Sequence, residues 1–150
     1  AHALVDATPD AVRDGLRQAR WPGRLHPVDR QLLLDGGHNP AALRLLIPDV
    51  RELAAGRPVA LVFAVKVDKE LPPMLEELRR LEPIGVVMTA AASAGGRALS
   101  PAELVGAWGP GAEALLPAER AVVRARELAG PDGLVLACGS LYLVGELLPG

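Results

Sequence analysis

The stretch Leu32-Leu33-Leu34-Asp35-Gly36-Gly37-His38-Asn39-Pro40 decides the fold class of this chain. Three consecutive leucines are typical of a short strand that is buried on both faces of a sheet. The two glycines that follow allow a sharp turn, and Asn39 before Pro40 is a typical N-cap followed by proline at the first helical position. A strand, a tight loop and a helix in this order predict one βα unit of a parallel sheet.

The same alternation continues to the end of the chain. Strands are predicted at 31–34, 59–65, 84–89, 112–116 and 133–138, and helices at 40–54, 71–81, 101–108, 117–129 and 140–148. Ser100 and Glu103 form the pattern of a capping box, whereas 90–98 is predicted to be a flexible loop. The sequence therefore predicts an α/β, Rossmann-like three-layer domain, in which a mostly parallel sheet of about five to six strands carries helices on both faces.

The first 22 residues follow a different pattern. Residues 1–6 resemble the end of a helix, and 9–19, preceded by the capping residue Thr8, form an amphipathic helix that ends at Trp21-Pro22. The chain begins with Ala rather than Met, so we expect a piece of a longer protein. We predict that 1–22 are the end of a preceding domain with a linker, and that 23–150 are a second domain.

Composition excludes several classes of protein. The formal charge of −2 on 150 residues provides no general attraction to nucleic acid or to an acidic membrane surface. The single cysteine, Cys138, excludes an intrachain disulfide and favours a reducing compartment. The sequence has neither a signal-peptide pattern nor an apolar run of the ~20 residues that span a bilayer. We therefore expect a cytoplasmic protein.

Ligands of open parallel sheets bind beyond the carboxyl ends of the strands, so each strand-to-helix loop is a candidate site. In the first loop, Asp35 suits a ribose hydroxyl or a metal, His38 suits a phosphate or carboxylate, and the helix that begins at Pro40 favours an anion. The same loop also fits an ordinary turn, in which Asp35 and Asn39 only cap the helix and His38 is solvated. The residues alone leave both interpretations open.

Three further loops carry polar residues. Lys66-Val67-Asp68-Lys69-Glu70 holds both lysines of the chain and fits either an anion site or a solvated turn. The segment from Thr89 to Arg97 fits either a loop that closes over a ligand or a mobile surface loop. In Cys138-Gly139-Ser140-Leu141-Tyr142, Ser140 either caps a helix or donates to a ligand. Cys138 is interpreted as a buried small hydrophobe, because no cationic neighbour in sequence would lower its pKa.

Several catalytic patterns are absent from the sequence. It contains no Gly-x-x-x-x-Gly-Lys-Ser/Thr phosphate loop and no Gly-x-Gly-x-x-Gly turn. The three histidines do not form a metal-ligand spacing with carboxylates or with the lone cysteine, so no metal site is predicted. The catalytic apparatus within these residues is therefore incomplete.

The loops together nevertheless resemble a known family. The matching segments are Trp21-Pro22-Gly23-Arg24-Leu25, Leu34-Asp35-Gly36-Gly37-His38-Asn39-Pro40, Asp68-Lys69, Thr89 with Arg97-Ala98, and Gly139-Ser140-Leu141-Tyr142. In this order they resemble the C-terminal domain of folylpolyglutamate synthase, a Mur-ligase relative that in bacteria is often also a dihydrofolate synthase. Three positions depart from the family pattern: Gly37, Ala64 and Glu70.

The resemblance implies an ATP-dependent carbon–nitrogen ligase that forms an acyl phosphate on a folate or dihydropteroate and joins it to L-glutamate. It places the phosphate loop and the Mg²⁺ ligands in a preceding ATPase domain, so this chain alone is expected to be inactive. The roles that it implies are ATP binding for Arg24 and Asp35, catalysis for His38, and glutamate binding for His38, Ser140, Tyr142, Lys69 and Lys66.

Two alternatives remain at this stage. One is a Mur-type ligase that adds an amino acid to a cell-wall precursor, against which the Trp-Pro-Gly-Arg segment and His38 argue. The other is a non-catalytic α/β module that binds a small molecule. Neither alternative requires nucleic acid or a membrane as a partner.

Overall fold

All five predicted strands form in the computed structural model, which describes residue 8 and residues 23–150. The strands are β1 (His26–Pro27), β2 (Leu32–Asp35), β3 (Val59–Phe63), β4 (Gly85–Met88), β5 (Ala112–Ala114) and β6 (Leu134–Cys138). The helices are α1 (Pro40–Ala54), α2 (Leu71–Arg79), α3 (Pro101–Trp108), α4 (Ala118–Ala129) and α5 (Leu141–Leu147). The helices predicted at 1–6 and 9–19, together with Trp21-Pro22, lie outside the described residues.

The strands form one sheet in the order β1-β2-β6-β3-β4-β5. The pairs from β2 to β5 are all parallel, and only the edge pair β1–β2 is antiparallel. The predicted fold class is therefore confirmed. β1 was not predicted, because two residues that include a proline are too short to show a strand pattern.

Two hydrophobic clusters cover the two faces of the sheet. On one face, α1, α2 and α3 pack against side chains such as Leu61 and Phe63. On the other face, α4 and α5 pack against Val62 and Val135. The inward residues of α4 are mostly alanines, so this helix approaches the sheet closely. Among the described residues, no helix is long and apolar enough to cross a membrane.

The predicted helix caps at Asn39 and Ser100 are present. The Asn39 side chain accepts a hydrogen bond from the Ala42 N–H at 2.8 Å, and Ser100 forms the predicted capping box with Glu103. The segment 90–98 differs from its prediction as a flexible loop, because Ala92–Arg97 forms a 3₁₀ helix that is interrupted at Gly95. Side chains of this segment contact α5, about fifty residues away in sequence, and its last residues pair with Lys66 and Val67. A local pattern does not show these contacts.

Candidate active site at the carboxyl edge of the sheet

Five parallel strands end side by side at one edge of the sheet, which we call the carboxyl edge. The last residues of these strands form one row across the sheet: Asp35, Cys138, Phe63, Met88 and Ala114. The predicted site residues other than Arg24 lie at the ends of these strands or in the segments that follow them, whereas Arg24 lies before β1. The structure therefore brings together, at one edge, loops that are up to a hundred residues apart in sequence.

Asp35 joins the first of these loops to the segment before β1. One carboxylate oxygen accepts a hydrogen bond from the Gly37 N–H at 2.7 Å, and the other accepts one from the Leu25 N–H at 3.0 Å. Burial raises the pKa of Asp35, and the two hydrogen bonds and the charge of Arg24 oppose this effect only in part. Asp35 thus holds Arg24, whose side chain is exposed, beside the loop that contains His38.

His38 is held by its own loop. Its Nδ1 lies 2.8 Å from the carbonyl oxygen of Gly36. Because a carbonyl oxygen can only accept, Nδ1 is the protonated nitrogen in this arrangement. In the neutral ring, Nε2 then carries the free lone pair, and it has no partner among the described residues. The side chain is partly exposed, so Nε2 is available to a ligand.

Gly139 allows the turn after β6 to lie against β3. Its φ is +105°, and a Cβ there would overlap the carbonyl oxygen of Ala64 and lie 2.5 Å from a ring carbon of Phe63. The close approach places Ser140, which is buried, at the start of α5. The Ser140 hydroxyl oxygen accepts a hydrogen bond from the Tyr142 N–H at 3.2 Å, so the predicted cap is present.

Cys138 is fully buried at the end of β6. Burial, and secondarily the negative charge of Asp35, raises the pKa of its thiol far above neutrality. The side chain is therefore a thiol at neutral pH and packs as a small hydrophobe, in agreement with the interpretation from sequence.

The two lysines lie on the loop that follows β3. Lys66 is partly buried, and its Nζ lies 3.9 Å from a carboxylate oxygen of Asp68. The backbone of Lys66 forms a β-bridge with Ala98, which sets this loop beside Arg97. Lys69 is partly exposed and forms no ion pair with any described residue. Both lysines thus lie on a loop at the carboxyl edge, as predicted.

Two cavities lie at the opposite edge, where the strands begin. One, of about 360 Å³, is lined by Gln31, Arg57 and Arg126 among others, and the second, of about 560 Å³, lies between Arg57 and Ile84. The polar groups there already pair with one another, as in the 2.6 Å ion pair of Arg126 with Asp29, which lowers the pKa of that carboxyl. None of the predicted site residues lines either cavity.

The sequence predicted that Arg97 lies in a loop after a strand, but it implied no role for Arg97 at the site. In the structure, its guanidinium lies over the ring of Tyr142, with the guanidinium carbon 5.0 Å from the ring centroid. Its Nη2 donates to the Tyr142 hydroxyl at 2.7 Å. Two sequence signals pointed to this pair: both residues follow strands that end at the same edge, and both belong to segments that carry the family resemblance.

Comparisons with known proteins agree with this arrangement. The family described as "Mur ligase, glutamate ligase domain" matches residues 23–141. The folylpolyglutamate synthase of Lacticaseibacillus casei is 29% identical over 148 residues, which cover 93% of this chain and 32% of that protein. The dihydrofolate synthetase of Saccharomyces cerevisiae is 31% identical over 166 residues, which cover 97% of this chain and 38% of that protein.

A solved structure shows the same fold. The bifunctional folylpolyglutamate synthase/dihydrofolate synthase of Yersinia pestis, complexed with AMPPNP and a Mn ion, matches with a TM-score of 0.78 and 28% identity. The match covers 95% of this chain and 34% of that one. The chain thus spans about a third of the length of the relatives it matches. With the family match, the fold and the order of the loops in agreement, the chain belongs to the Mur ligase family, in which it is a glutamate ligase domain.

Proposed function

We propose that this chain is the C-terminal domain of an ATP-dependent ligase that joins L-glutamate to folate, and that also converts dihydropteroate to dihydrofolate if the parent enzyme is bifunctional. One observation carries the proposal. The carboxylate of Asp35 binds the backbone of both Leu25 and Gly37, and so holds Arg24 and His38 on adjoining segments. The turn that carries Ser140 follows the neighbouring strand β6.

The nucleotide side of the proposed site is formed by Arg24 and Asp35. The Arg24 side chain is exposed and has no hydrogen-bond or ion-pair partner among the described residues. A guanidinium can bind phosphate oxygens through two parallel N–H groups, which fits the γ-phosphate of ATP. Both oxygens of Asp35 already accept backbone hydrogen bonds, so Asp35 would contact the nucleotide only through its remaining lone pairs.

The residues described here do not fit Mg²⁺. Within residue 8 and residues 23–150, no group of three or more His, Cys, Asp or Glu side chains could hold a metal ion. We therefore assign Mg²⁺, together with most of the ATP contacts, to a preceding ATPase domain, for which residues 1–22 are proposed to be the end and the linker.

The glutamate side is proposed to comprise His38, Ser140, Tyr142 and one of the two lysines, Lys66 or Lys69. The ammonium group of either lysine fits a carboxylate of the amino acid. The Ser140 hydroxyl oxygen accepts a hydrogen bond from the Tyr142 N–H through one lone pair. The hydroxyl can still donate its own proton to the amino acid.

His38 is proposed to act at the reacting atoms. The neutral glutamate amine attacks the carbonyl carbon of the acyl phosphate, and the carbon–nitrogen bond forms. Phosphate leaves with the electrons of the carbon–oxygen bond, and the nitrogen releases one proton to solvent. Because Nδ1 donates to the Gly36 carbonyl, the neutral ring directs its Nε2 lone pair outward. That lone pair accepts a hydrogen bond from the attacking amine and orients it.

The test uses the full-length protein that contains this chain. We expect ATP-dependent incorporation of labelled L-glutamate into dihydropteroate or tetrahydrofolate, with one ADP released per amide bond. UDP-muramyl precursors serve as the competing substrates. ATP-dependent ligation to those precursors, with none to folates, would instead establish a cell-wall ligase. Glutamate binding with no ADP release on any acceptor would establish a binding module.

A further inference from the structure

Arg97 carries a positive charge that no carboxylate among the described residues neutralises. Its Nη2 donates to the Tyr142 hydroxyl at 2.7 Å, and its Nε donates to the Ala94 carbonyl at 3.4 Å. Its Nη1 has no partner among the described residues, and the side chain is exposed at the carboxyl edge. Three of the five guanidinium N–H groups therefore remain available to an anion.

The segment around Arg97 is fastened to both sides of the proposed glutamate site. On one side, the Arg97 carbonyl accepts a hydrogen bond from the Val67 N–H at 2.8 Å, beside Lys66. On the other side, Tyr142 lies two residues after Ser140. Arg97 thus links the lysine loop to the turn at the start of α5.

A second contact holds this 3₁₀ segment on α5. The Ser93 N–H and the Ser93 hydroxyl both donate to one carboxylate oxygen of Glu146, each at 2.6 Å. Ser93 and Arg97 therefore attach the two ends of the segment to the same helix. Such attachment reduces the side-chain freedom that the guanidinium would lose when an anion binds.

A dicarboxylic amino acid carries two separate carboxylates, and a single lysine can neutralise only one of them. Resting on the proposed function, we infer that Arg97 binds one carboxylate of L-glutamate while a lysine of the β3 loop binds the other. Tyr142 is the positioning residue, because its ring and hydroxyl together fix the guanidinium plane. A planar guanidinium matches the two oxygens of a carboxylate better than an ammonium does.

The experiment measures kcat and the KM values of full-length enzyme variants at saturating folate. Loss of a hydrogen-bonded charge pair predicts that Arg97→Gln raises KM for L-glutamate about 30-fold, while KM for ATP stays within about 2-fold. Arg97→Lys keeps the charge without the planar fork, and we expect a rise of about 5-fold. Tyr142→Phe keeps the ring and loses the hydroxyl, and we expect a rise of about 3-fold.

Arg79→Gln is the matched control. Arg79 also lies over an aromatic ring, 4.7 Å from the centroid of Trp108, and also donates to that residue, at 2.6 Å. It lies at the end of α2, away from the carboxyl edge. If arginine–aromatic pairs have a purely structural role, both variants should change the thermal midpoint, and neither should change the KM for L-glutamate. We expect the KM for L-glutamate to change only at Arg97.

L-Glutamine as a competing substrate shows which carboxylate Arg97 holds. If Arg97 holds the side-chain carboxylate, Arg97→Gln lowers the preference for glutamate over glutamine. If Arg97 holds the α-carboxylate, the KM for glutamate and the KM for glutamine rise together. Either result supports the inference. If the wild-type enzyme is active and Arg97→Gln leaves its KM for L-glutamate unchanged, the inference about Arg97 is overturned. A wild-type enzyme that joins glutamate to no folate overturns the proposed function itself.

Discussion

Asp35 shows how one buried carboxylate organises two segments of this domain. It is 8% exposed, and its two oxygens bind the N–H groups of Leu25 and Gly37. The cost of burying the carboxylate appears in its raised pKa, and the hydrogen bonds offset part of that cost. Glycine at position 37 also suits this arrangement, because a Cβ there would lie 2.9 Å from a carboxylate oxygen of Asp35.

At this scale, the roles of Arg24 and His38 can be tested in the full-length enzyme. We expect Arg24→Ala and His38→Ala each to lower turnover by about 100-fold, because each would remove a proposed contact to charge that develops during the reaction. Steady-state kinetics with saturating ATP, folate and glutamate provide the measurement. Arg30→Ala, which removes an exposed arginine at the opposite edge, is the control and should keep wild-type turnover.

If the Arg24 and His38 variants both retain wild-type kinetics, the roles implied by the family resemblance are wrong.

The sequence predicted where His38 lies, because strand ends and helix caps are local patterns, whereas only the family resemblance pointed to Arg24. It did not predict the hydrogen bond between Asp35 and Leu25, whose partners lie ten residues apart on different segments. Nor did it show that the Gly36 carbonyl selects the His38 tautomer.

At the scale of elements, the predicted helices and strands from β2 onward are present because their signals are local. Buried strands are continuous apolar runs, and α1 and α3 begin at Asn39-Pro40 and Ser100-Pro101. The sequence did not predict two elements. β1, only two residues long, exists through its pairing with nearby β2, and the 3₁₀ helix is held by α5, about fifty residues away in sequence.

The turn after β6 provides a prediction about stability. Gly139→Ala places a Cβ against the Ala64 carbonyl and the Phe63 ring at a φ of +105°. Gly109 has a similar φ of +97°, but a Cβ there meets no atom within 4 Å, so Gly109→Ala measures backbone strain alone. We expect Gly139→Ala to lower the free energy of unfolding by about 2 kcal/mol more than Gly109→Ala, because of the added overlap.

Urea unfolding of this 150-residue chain, followed by circular dichroism, measures both variants. If Gly139→Ala and Gly109→Ala lower the free energy of unfolding equally, the turn after β6 has room for a side chain. The close approach of Ser140 to β3 would then not depend on glycine. A change in the slope of free energy against urea, rather than in the midpoint, would indicate an altered unfolded state instead.

At the scale of the whole molecule, folding and catalysis place different demands on this chain. Folding needs a sheet covered on both faces, and the two hydrophobic clusters meet that need within residues 23–150. The proposed ligase reaction needs phosphate and metal contacts. Among the described residues these amount to a few exposed cationic side chains and no metal cluster. The family match from 23 to 141 agrees with a domain that begins at 23, although the boundary itself remains a prediction.

Because the core lies within this chain but most of the ATP and metal contacts do not, we predict that the isolated 150-residue chain folds but does not catalyse ligation. Its core should produce a single cooperative transition in thermal unfolding, since domains of this size usually unfold in two states. Incubated with ATP, L-glutamate and dihydropteroate, the chain should release no ADP, because its sequence contains no phosphate loop. Its inactivity is informative only if the full-length enzyme, assayed in parallel, releases ADP. Folate glutamylation by the purified chain alone would show that these residues form a complete ATP site. The proposal that a preceding domain binds most of the ATP would then be wrong.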